Sequence, residues 1–244
     1  MRNNATLADY QKTIMQLEGA TGFLKQGDFD LSIYGSRIAE YAYYKRNEII
    51  HNDSQDYISR KTTKASLAHK VMLDCAEGNV RVFARGLHPN IYGIDFVVEA
   101  FIGLVKHQLE QVETSNPSEA VASFIFIKDD KFVEDHIREA PLVSELTEIQ
   151  QRTGKSIADI YLVESETELP KKTNFVPKLA QNKNSDAKTI SDLASFSVFG
   201  DFFRIRKHRE DHNRASVNFG DPKTAAHLKE FHTALKELST KIEI

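Results

Sequence analysis

The chain has 244 residues, 41% hydrophobic and 27% charged, which suits one large globular domain, or a domain with an appendage, able to bury a real core. A formal charge of −3 excludes a uniformly basic, nucleic-acid-coating protein but leaves room for a local basic patch. The one cysteine, Cys75, excludes an intramolecular disulfide and a cysteine-based zinc site, and no run nears the ~18 apolar residues of a membrane span.

In chain order, the opening "MRNNATLADYQ" lacks a continuous apolar stretch, so no signal peptide is expected and the protein reads as cytoplasmic. "SRIAEYAYYKRNEII" sets Ile38, Tyr41, Lys45 and Ile49 on one stripe with Tyr34, Tyr43 and Tyr44 nearby, a helical core or partner-facing surface. "HNDSQD" (His51 to Asp56) breaks that pattern as a polar loop. From Ala65, Leu67, Val71, Met72 and Cys75 mark an amphipathic helix that places the thiol on its apolar face, and Gly78-Asn79 stops it. "NVRVFA" then alternates as a strand, with Val80, Val82 and Ala84 on one face. Asp95 is the expected N-cap of "FVVEAFIGLVKHQLEQ", apolar over much of its surface as a sheet-packing helix should be.

"ASFIFI" (Ala122 to Ile127) and "IADIYLV" (Ile157 to Val163) are buried-type strands, separated by "LVSELTEIQQRTG", a helix ending at Gly154. Helices alternating with short apolar strands predict an α/β fold whose sheet has a parallel part. Residues 164–192 are polar with little periodicity, a flap or a linker. "FSVFGDFFRIR" (Phe196 to Arg206) and "RASVNF" (Arg214 to Phe219) are expected as two strands joined through "KHREDHN". "GDPKTAAHLKEFHTALKELSTKI" opens a helix with Asp221 as N-cap and Pro222 at its first position. Leu228, Phe231, Leu235, Leu238 and Ile242 form its apolar stripe.

The densest chemistry lies in "RKHREDHNRASVNFGDP", Arg206 to Pro222. His208 and His212 stand four apart, a spacing that would aim both rings at one metal on a helix, with Glu210 and Asp211 as further ligands. The flanking stretches alternate as strands, so a solvated turn is expected and metal ligation is the alternative. Arg204, Arg206, Lys207, Arg209 and Arg214 form the strongest positive cluster, and alternation sets Arg204 and Arg206 on one strand face. Phosphate is the natural partner of such a pair, and a plain solvated face is the competing reading. Arg85 and His88 fall at the carboxyl end of a predicted strand, where open α/β sheets place their sites. Phosphate-binding glycine loops, a Gly-x-Ser-x-Gly elbow and a His-Glu-x-x-His helix are all missing from the sequence.

The element order from about Ala65 to Leu238 resembles one half-domain of the phospholipase D-like superfamily. "VFGDFFRIR" resembles its strand–turn–strand portion, and "ASVNFGDP" resembles its Gly-Ser-x-Asn segment, with Ser216 and Asn218 at the matching Ser and Asn. Where the family's His-x-Lys should stand, the chain reads "SFSVFGD". The family's reaction needs that His for a phospho-enzyme intermediate, so the resemblance implies a noncatalytic relative, a pseudoenzyme. Single half-domains of the family pair as dimers, so the resemblance also implies a homodimer.

The expectation is thus an α/β fold, a mixed sheet flanked by helices, of phospholipase D-like half-domain type. Residues 1–62 form a helix-rich amino-terminal appendage and residues 63–244 the α/β domain, with the flap or linker at 164–192. Its expected role is a noncatalytic binding or regulatory module, with phosphate-bearing nucleic acid the leading ligand. Contacts fall to Arg204, Arg206, Lys207, Arg209 and Arg214, with Ser216 and Asn218 as the family-matched polar positions. No catalytic residue, metal or cofactor is expected. The rival readings are a phosphodiesterase or nuclease using His208 and His212, and a structural subunit of a defence or toxin–antitoxin assembly docked through the amino-terminal helices. Nucleic acid, a second copy of the chain and a protein partner are the expected associates, and a membrane is not.

Overall fold

The apolar, β-branched and phenylalanine-rich runs assemble as one sheet because each is too short and too evenly apolar to do anything but bury both faces. The computed structural model describes residues 57–59, 69–70, 72–73, 76, 78–87, 89–111, 120–129, 134–170, 176–181, 187–207, 214–218 and 221–243. Its strands are β1 (Tyr57–Ser59), β2 (Val80–Ala84), β3 (Ala122–Lys128), β4 (Ala158–Glu164), β5 (Ser195–Phe199), β6 (Phe202–Lys207), β7 (Arg214–Asn218) and β8 (Thr240–Ile242). They lie in the order β1-β7-β6-β5-β2-β3-β4-β8. β2, β3 and β4 run parallel, and every other neighbouring pair is antiparallel. The helices are α1 (Pro89–Tyr92), α2 (Asp95–Gln111), α3 (Glu134–Arg138), α4 (Pro141–Thr153) and α5 (Pro222–Lys236). The mixed α/β sheet flanked by helices is therefore as the sequence predicts.

Period-two alternation sorts the strands onto two cores. Val80, Val82, Phe124, Phe126, Ile160, Phe199 and Val217 face the layer of α1, α2 and α4, where Phe101, Leu104, Leu142 and Leu146 meet them. Phe83, Ile125, Phe196, Val198, Phe203 and Ile205 face the other way, onto Leu228, Phe231 and Leu235 of α5. Each fully buried Phe or Leu contributes about 1.5–3 kcal/mol of hydrophobic stabilisation.

α4 ends where expected, at Gly154 with φ 65°, whose N–H caps the Gln150 carbonyl. Asp221 caps α5: its carboxylate accepts from Thr224 N–H at 3.0 Å and from the Thr224 hydroxyl at 2.6 Å, with Pro222 at the first helical position.

Three expectations need correction. Asp95 is the first residue of α2 rather than its N-cap, because the Ile94 carbonyl takes the first bonds, from Val97 and Val98 N–H. Phe196 to Arg206 is not one strand: Gly200, at φ 59°, turns the chain between β5 and β6, as the strand–turn–strand resemblance of that stretch implied. Gly-Asp between two apolar runs is a two-residue hairpin signature, masked here because phenylalanines flank it on both sides. Ile242 is not on the α5 stripe: the helix stops at Lys236, and Ile242 lies in β8, antiparallel to β4. The described parts of 164–192 are packed against the sheet, with Leu169, Ala180 and Ile190 buried in the α5-side core and Thr189 and Asp192 forming a capping box. Tyr57–Ser59, on the amino-terminal side of the expected boundary at 62, pairs with β7. The tyrosine-rich helix and Cys75 lie outside the described residues.

Candidate nucleic-acid interface

The antiparallel ladder of β6 and β7 carries most of the predicted contact residues. Arg204 stands across from Val217, Arg206 from Ala215, Lys207 from Arg214, Ile205 from Ser216 and Phe203 from Asn218. Directly opposed residues share a face, so the ladder splits the set. Arg204 and Arg206 lie on the α1–α2 side, while Lys207, Ser216 and Asn218 lie on the α5 side. Arg214 shares the Lys207 register, and Arg209, His208 and His212 lie outside the described residues, as do Glu210 and Asp211.

Burial separates the two arginines further. Arg204, expected as a phosphate contact, is only 9% exposed. Its neighbours across the sheet are Ser197 on β5 and Val217 on β7. It belongs to a buried polar cluster: His69 Nε2 is hydrogen-bonded to the Tyr92 hydroxyl at 3.1 Å, and that hydroxyl to Ser197 Oγ at 3.2 Å. Burial pushes the Tyr92 phenol up, opposed by its Ser197 bond and the Arg204 charge. The His69 ring meets Tyr92 and Phe199 edge-on at 5.1 and 5.5 Å. Asn218 is likewise buried, at 3% exposure. This cluster escapes a sequence reading because "RGLHPNIYG" looks like a loop and Ser197 sits inside an apolar run.

Arg206 is different. It is half-buried near the end of β6, and burial pushes its guanidinium below the usual arginine value. Among the described residues neither Arg206 nor Lys207 forms an ion pair. Arg206 meets Ser195, the first residue of β5, which runs antiparallel to β2, so the Arg206–Lys207–Arg214 corner lies at the carboxyl end of the parallel strands. That is the end at which open α/β sheets expose their sites. Arg85, one residue past β2, shares it: its Nη1 donates to Asp129 Oδ2 at 2.9 Å and its Nη2 to the Ser191 carbonyl at 3.5 Å. His88 lies outside the described residues.

Among the described residues no group of three His, Cys, Asp or Glu side chains could hold a metal ion, and no helix is long and apolar enough to cross a membrane.

The sequence matches no protein-family model and no curated protein. The solved structures that match include two at low identity. TrmBL2, an archaeal chromatin protein described as showing a novel mode of DNA binding, is 10% identical, with a TM-score of 0.45 over 97% of this chain and 68% of its own. NucT from Helicobacter pylori is 8% identical, with a TM-score of 0.44 over 78% of this chain and 100% of its own. At these scores the likenesses carry no weight for family or function.

Proposed function

We propose that the chain is a noncatalytic binding module that grips phosphate-bearing nucleic acid at the corner formed by Arg206, Lys207 and Arg214. The observation that carries this reading is Arg206, a half-buried cation with no ion-pair partner among the described residues. A desolvated guanidinium without a protein carboxylate is stabilised by an incoming anion, and its planar fork matches two phosphate oxygens. Lys207 and Arg214, opposed in the ladder, extend the positive edge toward the strand connection that carries Arg209. Ser216 and Asn218 serve the resembled half-domain motif from the α5 side and support the β7 strand. The phospholipase D-like element order is the scaffold in this reading. β5, "SFSVF", supplies neither the His nor the Lys that the family's chemistry would need there, so binding without phosphodiester cleavage is the expected behaviour.

Fluorescence anisotropy with a labelled DNA duplex and a labelled single strand, titrated across salt, tests the reading. Arg206→Ala with Lys207→Ala should weaken binding of either probe and reduce the slope of log K against log salt by roughly one unit per lost contact. Unchanged affinity and slope would remove the basis of the proposal.

A further inference from the structure

Arg85 is the first residue beyond β2, and β2 is separated from β6 only by β5. At about 4.8 Å per strand, its backbone lies roughly 10 Å from the Arg206–Lys207 end of β6. The stretch it touches continues into the same corner: Ser191, whose carbonyl accepts from Arg85, precedes Asp192, Leu193, Ala194 and then Ser195, the residue opposite Arg206. Arg85 is therefore placed along the same edge as the proposed contacts. Unlike Arg206, it is occupied, because Asp129, the first residue past β3, holds its guanidinium at 2.9 Å.

The pair is open to water: the Arg85 side chain is 36% exposed and that of Asp129 28%. An ion pair of this kind is weak in solution and screened by salt, so a competing anion has little to overcome in displacing the carboxylate. A nucleic-acid phosphate offers the guanidinium the same two-oxygen geometry that a carboxylate does. The Ser191 carbonyl keeps the side chain directed along the edge whichever anion it holds.

We infer that Arg85 is a further phosphate contact of the same interface, and that Asp129 is its built-in competitor, which lowers affinity until a phosphate displaces it. This inference rests on the nucleic-acid reading proposed above. It makes the interface self-limiting: nucleic acid must exchange one carboxylate for one phosphate, so weak or singly placed phosphates are rejected.

The test is a double-mutant cycle in the full chain, read by anisotropy with the labelled DNA duplex at two salt concentrations. Asp129→Asn keeps the side-chain shape and removes the competing charge, and it should tighten binding several-fold. Arg85→Ala should weaken binding and reduce the salt slope by about one unit. The double variant should bind like Arg85→Ala, because the guanidinium that Asp129 masks is then absent. If the Asp129→Asn gain survives in the Arg85→Ala background, the carboxylate merely repels DNA and the inference is overturned. Binding that depends on Arg206 and Lys207 but ignores both Arg85→Ala and Asp129→Asn overturns this inference alone. No binding by wild type or by Asp129→Asn overturns it together with the nucleic-acid reading. Arg85-dependent binding seen only in Asp129→Asn would support it strongly. Thermal melts of all four proteins verify that each is folded.

Discussion

Arg204 and Arg206 lie on the same side of β6, two positions apart, yet one is buried and the other is half-buried at the strand's end. Removing a buried guanidinium leaves Tyr92 and Ser197 with a changed polar environment and a cavity beside them. Arg204→Ala should therefore destabilise the protein by about 1–3 kcal/mol in urea denaturation. Arg206→Ala should stay within roughly 0.5 kcal/mol of wild type while losing affinity for DNA. The opposite ranking in stability would show that the burial difference does not govern their roles. His232, on the α5 face, is fully buried and hydrogen-bonded through Nε2 to the Val82 carbonyl at 3.2 Å. Burial, reinforced by the nearby charges of Arg81 and Lys236 and opposed by the backbone bond, lowers its pKa from 6.5 to about 3. Between those values the unfolded chain takes up a proton that the folded chain refuses. Stability should fall as pH drops below about 6.5, by up to about 1.4 kcal/mol per pH unit, and the loss should level off near pH 3. His232→Gln should flatten that part of the stability–pH curve, and identical curves for the two proteins would contradict it.

At the level of elements, α5 and β8 show what local chemistry decides. The Asp221–Pro222 start of α5 was legible because a cap needs only neighbours in sequence. Asp221→Ala should cost about 0.5–2 kcal/mol, and no loss in thermal denaturation would argue against the cap as its role. β3 and β4 were equally legible from their apolar runs, β2 from its alternation, and Gly154 from its place after a periodic stretch. The β5–β6 turn was hidden because both sides of Gly200-Asp201 are phenylalanines that read as one continuous strand. β8 was hidden because Ile242 falls on the period of α5, and the strand is fixed by distant partners instead. Lys241 reaches Asp159 at 2.6 Å, and the Ser239 hydroxyl bonds back to the Leu235 carbonyl at 2.7 Å to turn the chain. Asp159→Asn should speed hydrogen exchange at Thr240–Ile242 while changing global stability by less than about 1 kcal/mol. Exchange unchanged at those amides would mean that the ladder with β4 alone holds β8. The candidate interface was legible as a positive cluster but not as a shape. Which arginine is buried depends on tertiary packing that a strand's own alternation does not show: Arg204 lies near Tyr92, more than a hundred residues earlier in the chain.

For the whole molecule, the sheet ends, among the described residues, in two three-residue strands, β1 and β8. Such short edges offer little template for pairing with a second sheet. The homodimer implied by the family resemblance thus needs a surface other than a long edge. Light scattering at increasing concentration should report a dimer mass if that implication holds, and a constant monomer mass would end it. The strand order also governs when the protein can form. β2, β3 and β4 are made early, but α5, the helix that packs over Phe83 and Ile125 on their second face, comes only after residue 221. A ribosome adding about 5–20 residues per second therefore leaves Phe83 and Ile125 without their cover for several seconds after β4 is made. In that interval the nascent chain presents one apolar face of a half-sheet, the kind of exposed surface that makes folding intermediates prone to aggregate until α5 arrives.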